Sequence, residues 1–260
     1  MYNSLLYQVQ EGIATITLNR PDVFNAFNDE QSYELQDALK QVARDAAVRV
    51  VVLTGAGKAF CSGQDLKAIA DSTGKRDLSE SLHKRYNPII RAMRALPKPL
   101  IARVNGVAAG AGCSLALACD LVVAAESAKF IEVFVNVGLV LDSGSSYFLP
   151  RLVGSARAFE MSTMGSRVSA QQAYDWGMVN KVAPDAELDA AVTVYTDYYK
   201  SAPTKAIAMM KKMLNKSFNS DLDSMLDYEA YCQKIAGDSA DYKEGVTAFN
   251  EKRKPNFTGQ

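Results

Sequence analysis

Two stretches of this chain are apolar over most consecutive positions: VRVVVLTG, residues 48–55, and LIARVNG, residues 100–106. A strand with one face in water alternates apolar with polar side chains. A strand apolar at successive residues has both faces covered, the pattern of a parallel sheet flanked by helices. Each run closes on a glycine-rich turn, Gly55-Ala56-Gly57 and Gly106 to Gly112, where the chain can reverse. Parallel neighbours need long crossovers, and the chain supplies them. Asp29 is the expected N-cap of a helix carrying Leu35, Leu39 and Val42 at helical spacing to about Ala46. The fold class that follows is α/β with crossover connections.

The remaining elements fit around this frame. Leu5 to Val9 and Ile13 to Leu18 read as strands about a Glu-Gly turn, and Asp120 to Ala125 as another. The charged segment Ala68 to Arg85 leads into a helix that must end at Leu96, before Pro97 and Pro99. Cys113 to Cys119 reads as a short buried helix. From Ser155 onward strands almost vanish, apart from Met178 to Val182. Helices are predicted over 186–200, 204–218, 222–235 and 240–252. This shift divides the chain into a core, residues 1–200, and a helical C-terminal region, residues 201–260. Met209, Met210 and Met213 share helical spacing with Ile207 and Leu214 and are expected in the core.

Composition excludes several functions. Lysine plus arginine equals aspartate plus glutamate at 29 each, so no bulk positive field exists for nucleic acid or an anionic membrane. The longest apolar stretch, Val104 to Leu117, is broken by Asn105, glycines and Ser114, so it is not read as a membrane span. The opening MYNSLLYQVQEG alternates like a strand and lacks the features of a signal peptide, so a cytoplasmic protein is expected. The four cysteines form no C-x-x-C pair and there is one histidine, His83, in the polar helical segment SESLHKRY. Neither a disulfide framework, a metal site nor a histidine-based hydrolase is expected.

The chemistry lies in the turns. Cys61-Ser62-Gly63-Gln64-Asp65-Leu66 and Gly110-Ala111-Gly112-Cys113 each follow a buried strand, and glycine lets backbone N–H groups approach a ligand closely. Two converging N–H groups would form an oxyanion hole. Neither turn carries the Gly-Lys-Ser/Thr of a phosphate-binding P-loop.

Asn19-Arg20-Pro21 with Asn25-Ala26, the segment LTGAGKAFCSGQDLK, the segment KPLIARVNGVAAGAGCSLALACDLVVA and the ending AFNEKRKPNF together resemble the enoyl-CoA hydratase/isomerase (crotonase) superfamily over residues 5 to 257. The resemblance implies a crotonase (ClpP-like) spiral of ββα units with a helical C-terminal trimerisation region, built as homotrimers or dimers of trimers. It implies an oxyanion hole on the N–H groups of Gln64 and Ala111, and a substrate and CoA path along Ala26, Ser62, Gln64, Asp65, Leu66, Lys67, Ala111 and Phe134. Phe249 and Lys252 match CoA-contacting residues near the C-terminus. Coenzyme A would enter as part of the substrate, with no metal, nicotinamide or flavin.

The sequence departs from the hydratase pattern at both catalytic glutamates: Ser114 and Phe134 stand in their places. Water addition needs one group to deprotonate water and another to deliver a proton, and neither residue titrates near neutrality. Instead GLVLDSG, residues 138–144, carries Asp142. It matches an aspartate of relatives resembling ring-epoxide isomerase of phenylacetate degradation, dienoyl-CoA isomerase and chlorobenzoyl-CoA dehalogenase. An acyl-CoA isomerase is expected, acting on an enoyl-CoA or an epoxyphenylacetyl-CoA, with burial against Phe134, Leu139 and Leu141 raising the Asp142 pKa. A hydratase and a non-catalytic acyl-CoA-binding protein are the alternatives. Dehalogenation would need partners that the single Trp176 and His83 do not evidently supply. Asp142 could also merely cap a helix from Ser143 to Arg151. Glu132 reads as a solvated residue, and Asp65 and Asn105 as loop pins.

Overall fold

A computed structural model describes residues 2–67 and 77–260. The segment 68–76, including the predicted start of the charged helix, lies outside the described residues.

The chain opens with β1 (Leu5–Gln10) and β2 (Ile13–Leu18), paired antiparallel about Glu11-Gly12. The helix Asp29–Arg44 follows. Its cap is Asn28, not Asp29: the Asn28 side chain accepts from the Gln31 N–H at 2.9 Å. A cap residue must be extended, which Asn28 is and the first helical residue is not. Leu35, Ala38, Leu39 and Val42 are buried on its inner face. Each fully buried leucine contributes on the order of 2 kcal/mol.

From here the chain repeats one unit of two strands and a helix. β3 (Val50–Gly55) and β4 (Ala59–Cys61) precede the helices Leu78–Ser81 and Asn87–Ala95, which are joined by the π-helical turn Leu82–Tyr86. β5 (Leu100–Val104) and β6 (Val107–Ala109) precede the helix Ala111–Leu117. β7 (Leu121–Ala125) and β8 (Lys129–Ile131) precede Ser145–Val153 and Ser155–Met164. Each unit adds one strand to each of two sheets, so the chain advances as a spiral. Among the described residues one sheet runs β1-β2-β3-β5-β7-β10 and the other β4-β6-β8-β9, where β9 is Arg167–Ser169 and β10 is Lys181–Ala183.

The long strands β3, β5 and β7 pair in parallel and are almost wholly buried, as their continuous apolar runs predict. The three-residue strands β4, β6, β8 and β9 have no counterpart in the sequence reading, because three residues are too few to display a period. The expected strand Met178 to Val182 shifts to Lys181–Ala183, and the predicted helix at 186–200 begins at Leu188.

Helices Leu188–Lys200, Thr204–Ser217, Leu222–Gly237 and Ala240–Asn250 complete the chain. Lys211 is buried and ties this region to the core, donating to the Met93 carbonyl at 2.9 Å and to Asp120 at 2.7 Å. The methionine expectation fails. Met210 and Leu214 are exposed, Met209 and Met213 only half-buried, and the helix turns Ala208 and Lys211 inward instead. The helix packs on Leu222–Gly237, but the described residues leave Met210 and Leu214 uncovered. No helix among the described residues is long and apolar enough to cross a membrane.

Candidate active site

β4 and β6 are parallel neighbours, Ala59 opposite Val107 and Cys61 opposite Ala108, and β6 pairs with β8 in the same sense, Ala109 opposite Ile131. The carboxyl ends of all three therefore lie side by side. The segments leaving them, at Ser62, Gly110 and Glu132, become neighbours despite their separation in sequence. This is the edge of an α/β sheet where ligands bind.

The first two turns pack backbone against backbone. A Cβ on Gly63, whose φ is +94°, would stand 2.9 Å from the Ala109 carbonyl oxygen and 3.5 Å from the Ala111 nitrogen. One on Gly112 would stand 2.2 Å from the Cys61 carbonyl oxygen. Only glycine permits this approach.

The hydrogen bonding leaves two N–H groups open. Gln64 forms a parallel bridge with Phe27, in which the Phe27 N–H donates to the Gly63 carbonyl at 2.7 Å and the Asp65 N–H to the Phe27 carbonyl at 2.9 Å. In that pattern the Gln64 N–H faces away from Phe27. Ala111 is the first residue of its helix, so its N–H has no carbonyl a turn earlier to bond. Among the described residues neither N–H donates to another protein group. The Gln64 side chain is itself anchored, its Nε2 donating to the Phe27 carbonyl at 2.8 Å and its Oε1 accepting from the Tyr86 hydroxyl.

The Asn19–Ala26 motif is scaffolding for this turn. Asn25 is fully buried with φ +57°, and its Nδ2 donates to the carbonyls of Ala56 and Ala59 at 2.9 and 2.8 Å. Arg20 donates to the Ala26 carbonyl at 2.5 Å and pairs with Asp65 at 3.0 Å. Asp65 thus pins its loop, as does Asn105, which donates to the carbonyls of Gly57 and Ala59. Ser62 donates to the Val23 carbonyl at 3.3 Å, and Leu66 and Lys67 are exposed at the rim.

Asp142 approaches from the third segment. Its carboxylate accepts from the Ser143 hydroxyl at 2.8 Å, and its carbonyl accepts from the Ser145 N–H at 3.0 Å and the Ser114 hydroxyl at 3.1 Å. Ser114, which stands where a hydratase glutamate was expected, therefore ties the Asp142 backbone to the helix that presents the Ala111 N–H. The helix beyond begins at Ser145, with Gly144 as cap and no side-chain cap bond, so Asp142 is not a helix cap. Ser143 is held at φ +51°, a conformation costly for a residue with a Cβ. Burial raises the Asp142 pKa, and the Ser143 hydrogen bond partly offsets that rise. Phe134 is buried with its ring against Gly110. Leu139 is 42% exposed and Leu141 half-buried, so the expected apolar wall is narrower than the sequence suggested.

One expectation is overturned. Glu132, expected in solvent, is fully buried: its Oε1 accepts from the Ser145 hydroxyl at 2.6 Å, and its Oε2 has no hydrogen-bond partner among the described residues. Burial is the main reason its pKa rises to about 7; hydrogen bonding by Ser145 and by the nearby Cys113 thiol opposes that rise, and the Asp142 charge adds to it. The sequence did hold a signal, since Glu132 lies two residues from Phe134 inside the apolar run FIEVF. Phe249 and Lys252 are not brought to the turns within this chain. Phe249 is 84% exposed at the end of the last helix, beside a separate cavity lined by Pro203, Tyr242 and Phe257. His83 is exposed, as expected, and no cluster of potential metal ligands is found among the described residues.

Residues 8–260 match the family model described as enoyl-CoA hydratase/isomerase. The chain belongs to that family. It is 45% identical over its whole length to the full 1,2-epoxyphenylacetyl-CoA isomerase of Escherichia coli strain K12. It is 34% identical to the crotonyl-CoA hydratase of Syntrophomonas wolfei, over 98% of each chain. A solved enoyl-CoA hydratase from Mycobacterium smegmatis superposes with a TM-score of 0.92 at 37% identity, covering 98% of this chain and 99% of that one. The spiral of ββα units and the helical C-terminal region are those of this family, and relatives of both chemistries lie within its range.

Proposed function

We propose that this family member is an acyl-CoA isomerase in which the N–H groups of Gln64 and Ala111 hold the thioester oxygen and Asp142 moves the proton. The observation that carries the reading is a single juxtaposition: two open N–H groups on adjoining turns, with Asp142 tied through Ser114 to the helix bearing one of them. Asp142 removes a proton from the carbon next to the thioester. The electrons flow onto the thioester oxygen, where the two N–H groups strengthen their hold as negative charge develops. Asp142 then returns the proton elsewhere on the conjugated system. Burial increases the proton affinity of Asp142 and so its power as a base.

The similarity to 1,2-epoxyphenylacetyl-CoA isomerase supports a ring-epoxide thioester as one substrate class, with enoyl thioesters as the other. Hydration is the second reading, and Glu132 is the observation in its favour, as a buried acid whose pKa feels Asp142. A non-catalytic acyl-CoA-binding role would leave the strained turn at Ser143, beside the half-buried Asp142, without a purpose. The CoA path along Ser62 to Lys67, a role for Phe249 and Lys252 across a subunit boundary, and a trimer covering the exposed apolar face of Thr204–Ser217 belong to the same proposal. Light scattering on the purified protein tests the trimer.

The deciding experiment incubates the protein with 2-enoyl-, 3-enoyl- and epoxyphenylacetyl-CoA in deuterated water and follows products by mass spectrometry. Rearranged product with deuterium incorporated and no added water mass is expected. Rapid formation of a 3-hydroxyacyl product would favour the hydratase.

A further inference from the structure

Beside Asp142 stands a buried carboxyl that the mechanism leaves unused. Glu132 leaves the end of β8, the strand whose Ile131 carbonyl accepts from the Gly110 N–H at 2.9 Å and so fixes the second turn. The Glu132 side chain turns inward, fully buried, toward three other groups: the Cys113 thiol from the helix Ala111–Leu117, the Ser145 hydroxyl and the Asp142 carboxylate. No cation faces it among the described residues. Arg167 on the paired strand β9, and Arg157 and Glu160 on the adjoining helix Ser155–Met164, are exposed. A buried carboxyl with one oxygen unpartnered is costly unless it has a structural or chemical use.

The hydrogen bond to its Oε1 comes from the residue that anchors the Asp142 loop. Ser145 holds Glu132 with its hydroxyl and Asp142 with its N–H, and between them stands Ser143 in the left-handed region. We propose that Glu132 is a positioning residue for Asp142, acting through Ser145: it pins the first residue of the Ser145–Val153 helix and thereby holds the strained turn that carries the base. This deepens the isomerase reading and rests on Asp142 being that base. Burial raises both carboxyls, and the Asp142 charge raises Glu132 further. Ionisation of Glu132 strengthens its hold on the Ser145 hydroxyl but sets a second negative charge against Asp142 in a space without a cation.

Four variants test it. Glu132→Leu and Ser145→Ala each remove the contact and are expected to lower kcat on the order of tenfold with KM changed less than about twofold, because loss of alignment acts on the chemical step. The double variant is expected to be no worse than Ser145→Ala alone, since both break one link. Glu132→Gln keeps a carbonyl oxygen for Ser145 and is expected to retain kcat within about threefold at pH 6, without the fall in kcat/KM near pH 7 that is expected of the wild type. Hydrogen exchange of the peptide spanning residues 139–148, measured on free enzyme, is expected to quicken about tenfold in the first two variants and not in Glu132→Gln. That readout needs no substrate and stands if Glu132→Leu fails to fold, because Ser145→Ala carries it. Unchanged exchange in Ser145→Ala, additive losses in the double variant, or a loss of about a hundredfold in Glu132→Gln would each overturn the proposal. Failure of the isomerase reading would show separately, as full activity in Asp142→Asn.

Discussion

Replacing Glu132 by glutamine should make stability less dependent on pH, by an amount the structure fixes. In the folded protein burial lifts the Glu132 pKa to about 7, from an ordinary 4.5. Between those values the folded state holds a proton that the unfolded chain has released, so stability falls as pH rises through the window. The contribution is complete below about pH 4.5 and is lost by about pH 8. A rise of that size corresponds to about 3 kcal/mol. Asp142 is also raised by burial and contributes a loss of the same sign, but it is present in both proteins and cancels in the comparison. Glutamine preserves the acceptor for the Ser145 hydroxyl and carries no proton equilibrium. Urea denaturation of both proteins from pH 4 to pH 8 should therefore give nearly equal stabilities at the acid end. The variant should be more stable by about 3 kcal/mol at the alkaline end. Parallel curves across the range would refute the reasoning, for they would mean that Glu132 titrates alike in the folded and unfolded chains.

Asp142→Asn should lower turnover on the order of 10²–10⁴-fold while leaving the melting temperature unchanged or raised, since the amide can still accept from Ser143 and no longer carries a buried charge; isotope exchange and calorimetry check both halves. Gly112→Ala places a Cβ 2.2 Å from the Cys61 carbonyl oxygen, so it should destabilise the protein by about 1–3 kcal/mol and abolish turnover by separating the two turns, read by thermal melting and activity together. All four cysteines are buried and the thiols of Cys61 and Cys113 are pushed up by burial, so a thiol reagent at pH 7.5 should label the native protein only as fast as it unfolds; immediate labelling would contradict the packing. Lys211→Met should cost about 3 kcal/mol, the lower end for breaking a buried pair, because Asp120 keeps Arg94 at 3.1 Å; chemical denaturation measures it.

The parts of this protein readable in advance were those whose cause is local. Continuous apolar runs announced β3 and β5 as doubly covered strands, and helical spacing announced Asp29–Arg44 with an error of one residue at its cap. The two glycine turns were visible as places where N–H groups could be offered to a ligand. Residues whose fate depends on distant neighbours were misread. Met210 and Leu214 fit a core stripe by spacing, yet they are exposed because no element among the described residues covers them. Asp142 stood where a helix cap could be, but Gly144 takes that position and leaves its carboxylate to the site. Glu132 looked solvated because charge is usually outside, and only tertiary packing, which brings Cys113 and Ser145 from two helices against it, makes it buried.

The sequence by itself determined the α/β class, the turn chemistry and, by its motifs, the family, because backbone periodicity and glycine tolerance act over a few residues. Only the tertiary structure decided which of those turns meet. β4, β6 and β8 are three residues each, too short to announce themselves. Their parallel pairing nevertheless sets the Gln64 and Ala111 turns side by side, with Glu132 next to them, and the Ser114 bond then ties in Asp142. Pairing across tens of residues is settled by the burial of the whole spiral, and no local stretch of sequence carries that information.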